Sequence, residues 1–149
     1  MPSFTKDSAT NLGLLLARVM LAVVFLWSSV DKATHWSDSL GEITSAGLPY
    51  APLLLGATVL VQLGGGLSVV LGVLPRLGAL ALAVFTVAAT ALFHDFWAVT
   101  DPVERQHQLT TFLEHVAILG GFTAIVFLGA GRFSLARLWR QAPGEAGEG

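Results

Sequence analysis

The stretch LGLLLARVMLAVVFLWSSV, Leu12–Val30, carries one ionisable side chain, Arg18, and is otherwise apolar or small. A run of this length is long enough to cross the roughly 30 Å hydrocarbon core of a bilayer as a helix. It does not read as a cleavable leader: its positive flank is only Lys6, Arg18 interrupts its core, and no small-residue cleavage pattern follows closely. Working outward, three more apolar runs fall at about 52–74, 77–93 and 112–128. The 149 residues are 54% hydrophobic and 12% charged, with a mean hydropathy of +0.70, so lipid is the solvent for most of the chain. The expectation is an all-α integral membrane four-helix bundle in a single domain over 1–140, with a Gly/Glu-rich disordered tail at 141–149.

Composition removes several chemistries. The net charge of −2 and the lack of a Lys/Arg cluster argue against nucleic acid as a partner. Without cysteine there are no disulfides, thiolate metal sites or thiol relays, so any redox role needs a bound cofactor.

Between the spans, Trp36 to Ala46 alternates polar and apolar residues, which suits a short helix at the membrane surface anchored by Trp36. A polar loop is expected from Ala98 to Thr111, and a tight turn at Pro75-Arg76. In the second span Gly64, Ser68 and Gly72 fall four apart, on one helix face where another backbone can approach. Positive loops stay cytoplasmic. Lys6, Arg76, Arg132, Arg137 and Arg140 share one face against Lys32 and Arg105 on the other, so both termini are expected to be cytoplasmic. Leu63-Gly64-Gly65 recurs as Leu119-Gly120-Gly121, with Arg76 and Arg132 at the same offset, a pattern that fits either a duplicated hairpin or coincidence.

Two groups of residues are able to carry chemistry. Arg18 lies within a span, where a charge costs at least about 2.5 kcal/mol and needs a partner. Gln62, in the antiparallel second span, is expected near the same depth. One reading of Arg18 is snorkelling or structural bonding; the other has Arg18 and Gln62 hydrogen-bonding a bound molecule. The second group is a polar layer at the outer ends of the spans: Asp31, Lys32 and His35, then His94, Asp95 and Trp97, then Glu114 and His115. Histidines beside carboxylates pass protons near neutral pH, and quinone chemistry couples electrons to protons. On this reading His94, Asp95, Glu114 and His115 are candidate proton-transfer residues, and Arg18, Gln62 and Trp97 candidate quinone contacts. The water–lipid interface also collects polar and aromatic residues without any chemistry. None of the four apolar runs, about 12–30, 52–74, 77–93 and 112–128, holds a His-x-x-x-His or Glu-x-x-His pair, so neither haem nor metal is expected.

Taken together, the chain from about Leu12 to Leu138 resembles the DoxX family of small bacterial membrane proteins. The resemblance rests on Arg18 with Phe25-Leu26-Trp27 and Asp31-Lys32; Gly47-Leu48-Pro49; Leu63-Gly64-Gly65 with Gly72 and Arg76; His94-Asp95-Phe96-Trp97; and Leu119-Gly120-Gly121 with Gly129-Ala130-Gly131-Arg132-Phe133-Ser134-Leu135. It implies four membrane helices and, through the relative DoxD, an association with thiosulfate:quinone oxidoreductase. Members often carry Glu where this chain has Gln62, and a Lys-Asn pair where it has Glu114-His115. A mechanism needing an intramembrane carboxylate opposite Arg18 lacks it here.

The expected role is a membrane-embedded accessory or quinone-interacting subunit of a bacterial redox system, in the inner membrane, surrounded by lipid and served by soluble redox partner proteins. The alternative is a non-catalytic anchor or scaffold for such partners. Transport of a small molecule is disfavoured, because four short spans enclose little volume and none is broken by proline. A homo-oligomer remains open.

Overall fold

The computed structural model describes residues 4–141, and over them the chain is helical throughout: α1 (Phe4–Thr34), α2 (Trp36–Ser45), α3 (Ala51–Leu71), α4 (Pro75–Phe93), α5 (Pro102–Leu128) and α6 (Leu135–Gln141). Four of these, α1, α3, α4 and α5, are long and apolar enough to cross a membrane. A short helix does form over the segment from Trp36, as α2. The tail expected to be disordered lies, from residue 142 on, outside the described residues.

Successive spans pack side by side, with α5 closing more lightly on α1. The shared core is small: Ala22 and Phe25 of α1, Val69 of α3, Ala79 and Leu82 of α4, and Phe122 and Ile125 of α5. Phe25 holds it together through ring contacts to Phe122 at 5.3 Å and Phe85 at 6.4 Å. Large apolar side chains such as Trp27 (74% exposed) and Phe127 (76%) point outward. Lipid tails are as apolar as leucine, so burial does not drive these helices together; close packing and hydrogen bonds do.

The close packing is done largely by glycine, only partly on the face that the i, i+4 pattern predicts. A Cβ at Gly64 would meet nothing within 4 Å. Gly65 instead seats Leu82 of α4, and Gly66 seats Leu26 of α1, so neighbouring residues about 100° apart on α3 serve two partners. Gly121 likewise receives Leu21 of α1, where an added Cβ would lie 2.7 Å from its methyls. Gly78 faces Ser68 and the Gly65 carbonyl, which pins α3 to α4 beside their connecting turn.

That turn is built from left-handed residues. Gly72 (φ 69°) ends α3, Leu74 (φ 51°) precedes α4, and Pro75 occupies the first helical position, where its missing N–H costs nothing. Gly72 is constrained twice, because a Cβ there would also lie 2.5 Å from Ser134 Cβ. Gly72→Ala should therefore destabilise the protein by more than the roughly 1 kcal/mol of a left-handed alanine alone. A melt in detergent within a degree of wild type would contradict this.

One boundary differs greatly from expectation. The polar segment read as a loop to Thr111 is helical from Pro102, because Asp101 caps α5 by accepting from the Val103 and Glu104 amides at 3.0 and 2.9 Å. Hydropathy marks where lipid begins, whereas the cap marks where the helix begins.

Candidate functional site

Arg18 is fully buried, and every hydrogen bond it makes is to a backbone carbonyl. Its Nε donates to Val69 O at 2.8 Å and one terminal nitrogen to Val70 O. The other terminal nitrogen donates to Ala130 O at 2.5 Å and Phe133 O at 2.8 Å. The last carbonyls of a helix have no partner within it. Arg18 supplies partners at the end of α3 and ties that end to the loop after α5. The expected pairing with Gln62 is not formed. Gln62 sits seven residues before Val69, about two turns or roughly 10 Å along α3. The depth reckoning failed because α1 runs on to Thr34 while α3 stops at Leu71.

Gln62 faces a different feature. Its Oε1 is buried without a hydrogen-bond partner, and the residue is 4% exposed. It lines a cavity of about 1240 Å³ shared by all four spans and roofed by Ser39 and Ile43 of α2. The walls are mostly apolar, and small residues, Ala57 of α3 with Ala81, Ala88 and Ala89 of α4, leave the room. The expectation of little enclosed volume is thereby overturned. Leu54, Leu77, Leu80 and Val84 belong both to the lining and to the outer surface, so the cavity opens sideways between α3 and α4 to the surroundings of the bundle. Pinned at their Gly65–Gly78 contact, these two helices leave a lateral cleft.

The polar end of the cavity carries Lys32, Glu42, His94 and His115. His94, just past α4, and His115, on α5, meet edge to face with ring centroids 5.1 Å apart. Their inner nitrogens are occupied. Gln108 Nε2 donates to Glu104 Oε1 at 2.8 Å, a carboxylate that accepts, so Gln108 Oε1 accepts from His94 Nδ1 at 2.8 Å. Thr90 gives its single hydroxyl proton to Thr86 O at 2.7 Å, which makes His115 Nδ1 the donor to Thr90 Oγ1 at 2.6 Å. In its neutral form each ring then carries its free lone pair on Nε2. Lys32 Nζ donates to Ser28 Oγ at 3.0 Å.

The remaining predicted residues lie elsewhere. Asp95, Trp97 (61% exposed) and Glu114 are on the outer surface and do not line the cavity. Trp97 stacks edgewise on Phe96 at 5.1 Å. Asp31 and His35 pair with each other at 3.0 Å, both exposed. The polar layer thus divides into an inward pair of histidines and an outward set of carboxylates. Glu104, Gln108 and Thr90, which orient the histidines, were missed; the i, i+4 spacing of Glu104 and Gln108 was the one available signal. Among the described residues no third histidine, cysteine or carboxylate joins a pair to make a metal cluster.

Comparison with known proteins agrees with this architecture. The chain is 30% identical over 128 residues to the inner membrane protein YqjF of Escherichia coli, covering 86% of this chain and 92% of YqjF. It is 24% identical over 134 residues to the inner membrane protein YphA of the same organism, covering 90% and 95%. No solved structure matches. The DoxX family profile matches residues 13–95, more than half of the chain. With four apolar spans and relatives along nearly its whole length, the chain belongs to the DoxX family and is a multi-pass protein of the bacterial inner membrane.

Proposed function

We propose that the chain is an accessory subunit of a membrane redox system that holds a lipid-soluble quinone, chiefly in its hydroxylated form, in the cavity beside Gln62, His94 and His115. The observation that carries this is the unpartnered buried Gln62 oxygen in the wall of an apolar cavity that opens to the side. A buried acceptor without a partner costs about 1–3 kcal/mol, which a ligand hydroxyl would recover. The free Nε2 atoms of both histidines are acceptors as well, so the polar lining matches O–H donors better than bare carbonyls.

A quinol brings two ring hydroxyls, an apolar tail and two-electron, two-proton chemistry. The chain's own residues would do the rest. His94 and His115 accept and hold a proton at Nε2, with Gln108–Glu104 and Thr90–Thr86 fixing their rings. Phe25 and Phe85 keep water from the deep end. The cleft between α3 and α4 admits the tail from lipid. Lacking cysteine, the chain depends on a soluble partner protein to take up the two electrons that oxidation of the quinol releases as its protons pass to the histidines. On the positive-inside rule, both termini and the Arg76 turn face the cytoplasm, and the histidines face outward.

Native mass spectrometry of detergent-purified protein should show a bound quinone mass. The double variant His94→Phe/His115→Phe should lose about tenfold of it, corresponding to roughly 1.4 kcal/mol, while Asp95→Asn and Glu114→Gln keep it. Equal retention in the histidine variant, or no quinone in wild type, would exclude the proposal.

A further inference from the structure

The opposite end of the bundle carries a second cavity and an unbalanced charge. Arg18 is held there entirely by neutral carbonyls, which satisfy its N–H groups without cancelling its positive charge. Above it, Gly72, Ala130 and Ser134 form part of the lining of a cavity of about 820 Å³. An added Cβ on Gly72 would lie 3.0 Å from an Arg18 terminal nitrogen, so this lining is in contact with the buried guanidinium. Arg76 and Arg137 line the same cavity. Arg76 makes one long hydrogen bond, 3.5 Å to Phe127 O, and neither arginine forms an ion pair among the described residues. The carboxylates with described side chains, Asp31, Asp38, Glu42, Asp95, Asp101, Glu104 and Glu114, all lie toward the other end. The rim is apolar and outward-facing: Leu74 is 66% exposed, Leu77 62% and Trp139 69%.

Two guanidinium groups line a cavity with no acidic residue in its lining, and a third, that of Arg18, lies out of water behind its Gly72 and Ala130 wall. A field of this kind calls for an anion, and arginine's planar fork matches phosphate oxygens. The leucine and tryptophan rim is what acyl chains and the headgroup boundary select. We propose that this cavity binds the phosphate of an anionic phospholipid headgroup, set between Arg76 and Arg137 over buried Arg18, with the acyl chains along Leu74 and Leu77. The lipid supplies a counter-charge that the carboxylates with described side chains do not, and it braces the loop joining α5 to α6 against the α3–α4 turn.

The test uses the full chain in mild detergent with an equimolar mixture of dioleoylphosphatidylglycerol and dioleoylphosphatidylcholine, read by native mass spectrometry. An arginine at an anionic lipid surface contributes about fivefold, so the pair should favour phosphatidylglycerol by about twenty-five-fold. Arg76→Gln/Arg137→Gln should abolish that preference, Arg76→Lys/Arg137→Lys should keep most of it, and Arg105→Gln at the other end should leave it intact. Equal retention of the two lipids, or a preference that survives the double glutamine variant, overturns the proposal. Displacement of phosphatidylglycerol by inorganic phosphate, but not by chloride at the same ionic strength, would overturn the lipid as the source of the anion. None of these outcomes depends on what the histidine-end cavity holds.

Discussion

Replacing Arg18 with methionine should leave little folded protein in the membrane. Four carbonyls would lose their donor: those of Val69 and Ala130 in buried bonds, and those of Val70 and Phe133 in partly buried ones. At about 1–3 kcal/mol for each unsatisfied buried acceptor, the two buried carbonyls alone amount to a loss of about 2–6 kcal/mol. That is a large share of the stability of a small domain. Arg18→Lys should be intermediate, because three donors on a single nitrogen cannot bridge the end of α3 and the loop after α5 as a planar fork does. The measurement is a thermal melt of each variant by size-exclusion in detergent. Arg18→Met melting within two degrees of wild type would refute the clamp. A second readout separates clamp from ligand contact: Arg18 does not line the histidine-end cavity, so folded Arg18→Lys protein should retain as much quinone as wild type.

Arg18 also shows what a sequence can and cannot convey about such a protein. Hydropathy located all four spans, because the need to shield backbone polar groups from lipid is written in every residue of a spanning helix. The charge of Arg18 was equally visible, and it was rightly marked as needing partners. Its partners were not, because backbone carbonyls have no sequence signature. Counting depth from approximate span ends then pointed to Gln62, two turns away. The same limit applied to the polar layer. His94 and His115 do meet, yet nothing in their spacing distinguishes them from Asp95 and Glu114, which the chain's exit from α4 and the rotation of α5 place outward. The small residues of α3 are legible only in part for a related reason. Of Gly64, Ser68 and Gly72, Ser68 meets Gly78 and Gly72 meets Ser134, but which faces meet which neighbours depends on how α3 is rotated, so Gly64 meets nothing while Gly65 and Gly66 seat Leu82 and Leu26.

Gln62→Leu should raise stability and remove ligand together. Leucine has nearly the shape of glutamine and asks for no hydrogen bond, so in the ligand-free protein the change relieves the cost of a buried, unpartnered amide oxygen. The expected gain is about 1 kcal/mol, or an increase of a few degrees in melting temperature. For a polar residue that held the bundle together, as Arg18 does, the sign would be reversed. The same variant should lose most bound quinone, because the acceptor at the apolar end of the site is gone. Protein stripped of ligand and then melted gives the first quantity, and native mass spectrometry before stripping gives the second. A fall in melting temperature with quinone retained would mean that Gln62 serves packing and that the proposed site is wrong. Gln62→Glu extends the test, because a carboxylate in the same wall accepts more strongly than an amide. If the ligand's hydroxyl is what Gln62 awaits, the Glu variant should retain quinone at least as well as wild type, even while burial of its charge lowers stability. A residue that weakens the empty protein and strengthens the loaded one is kept for what it binds.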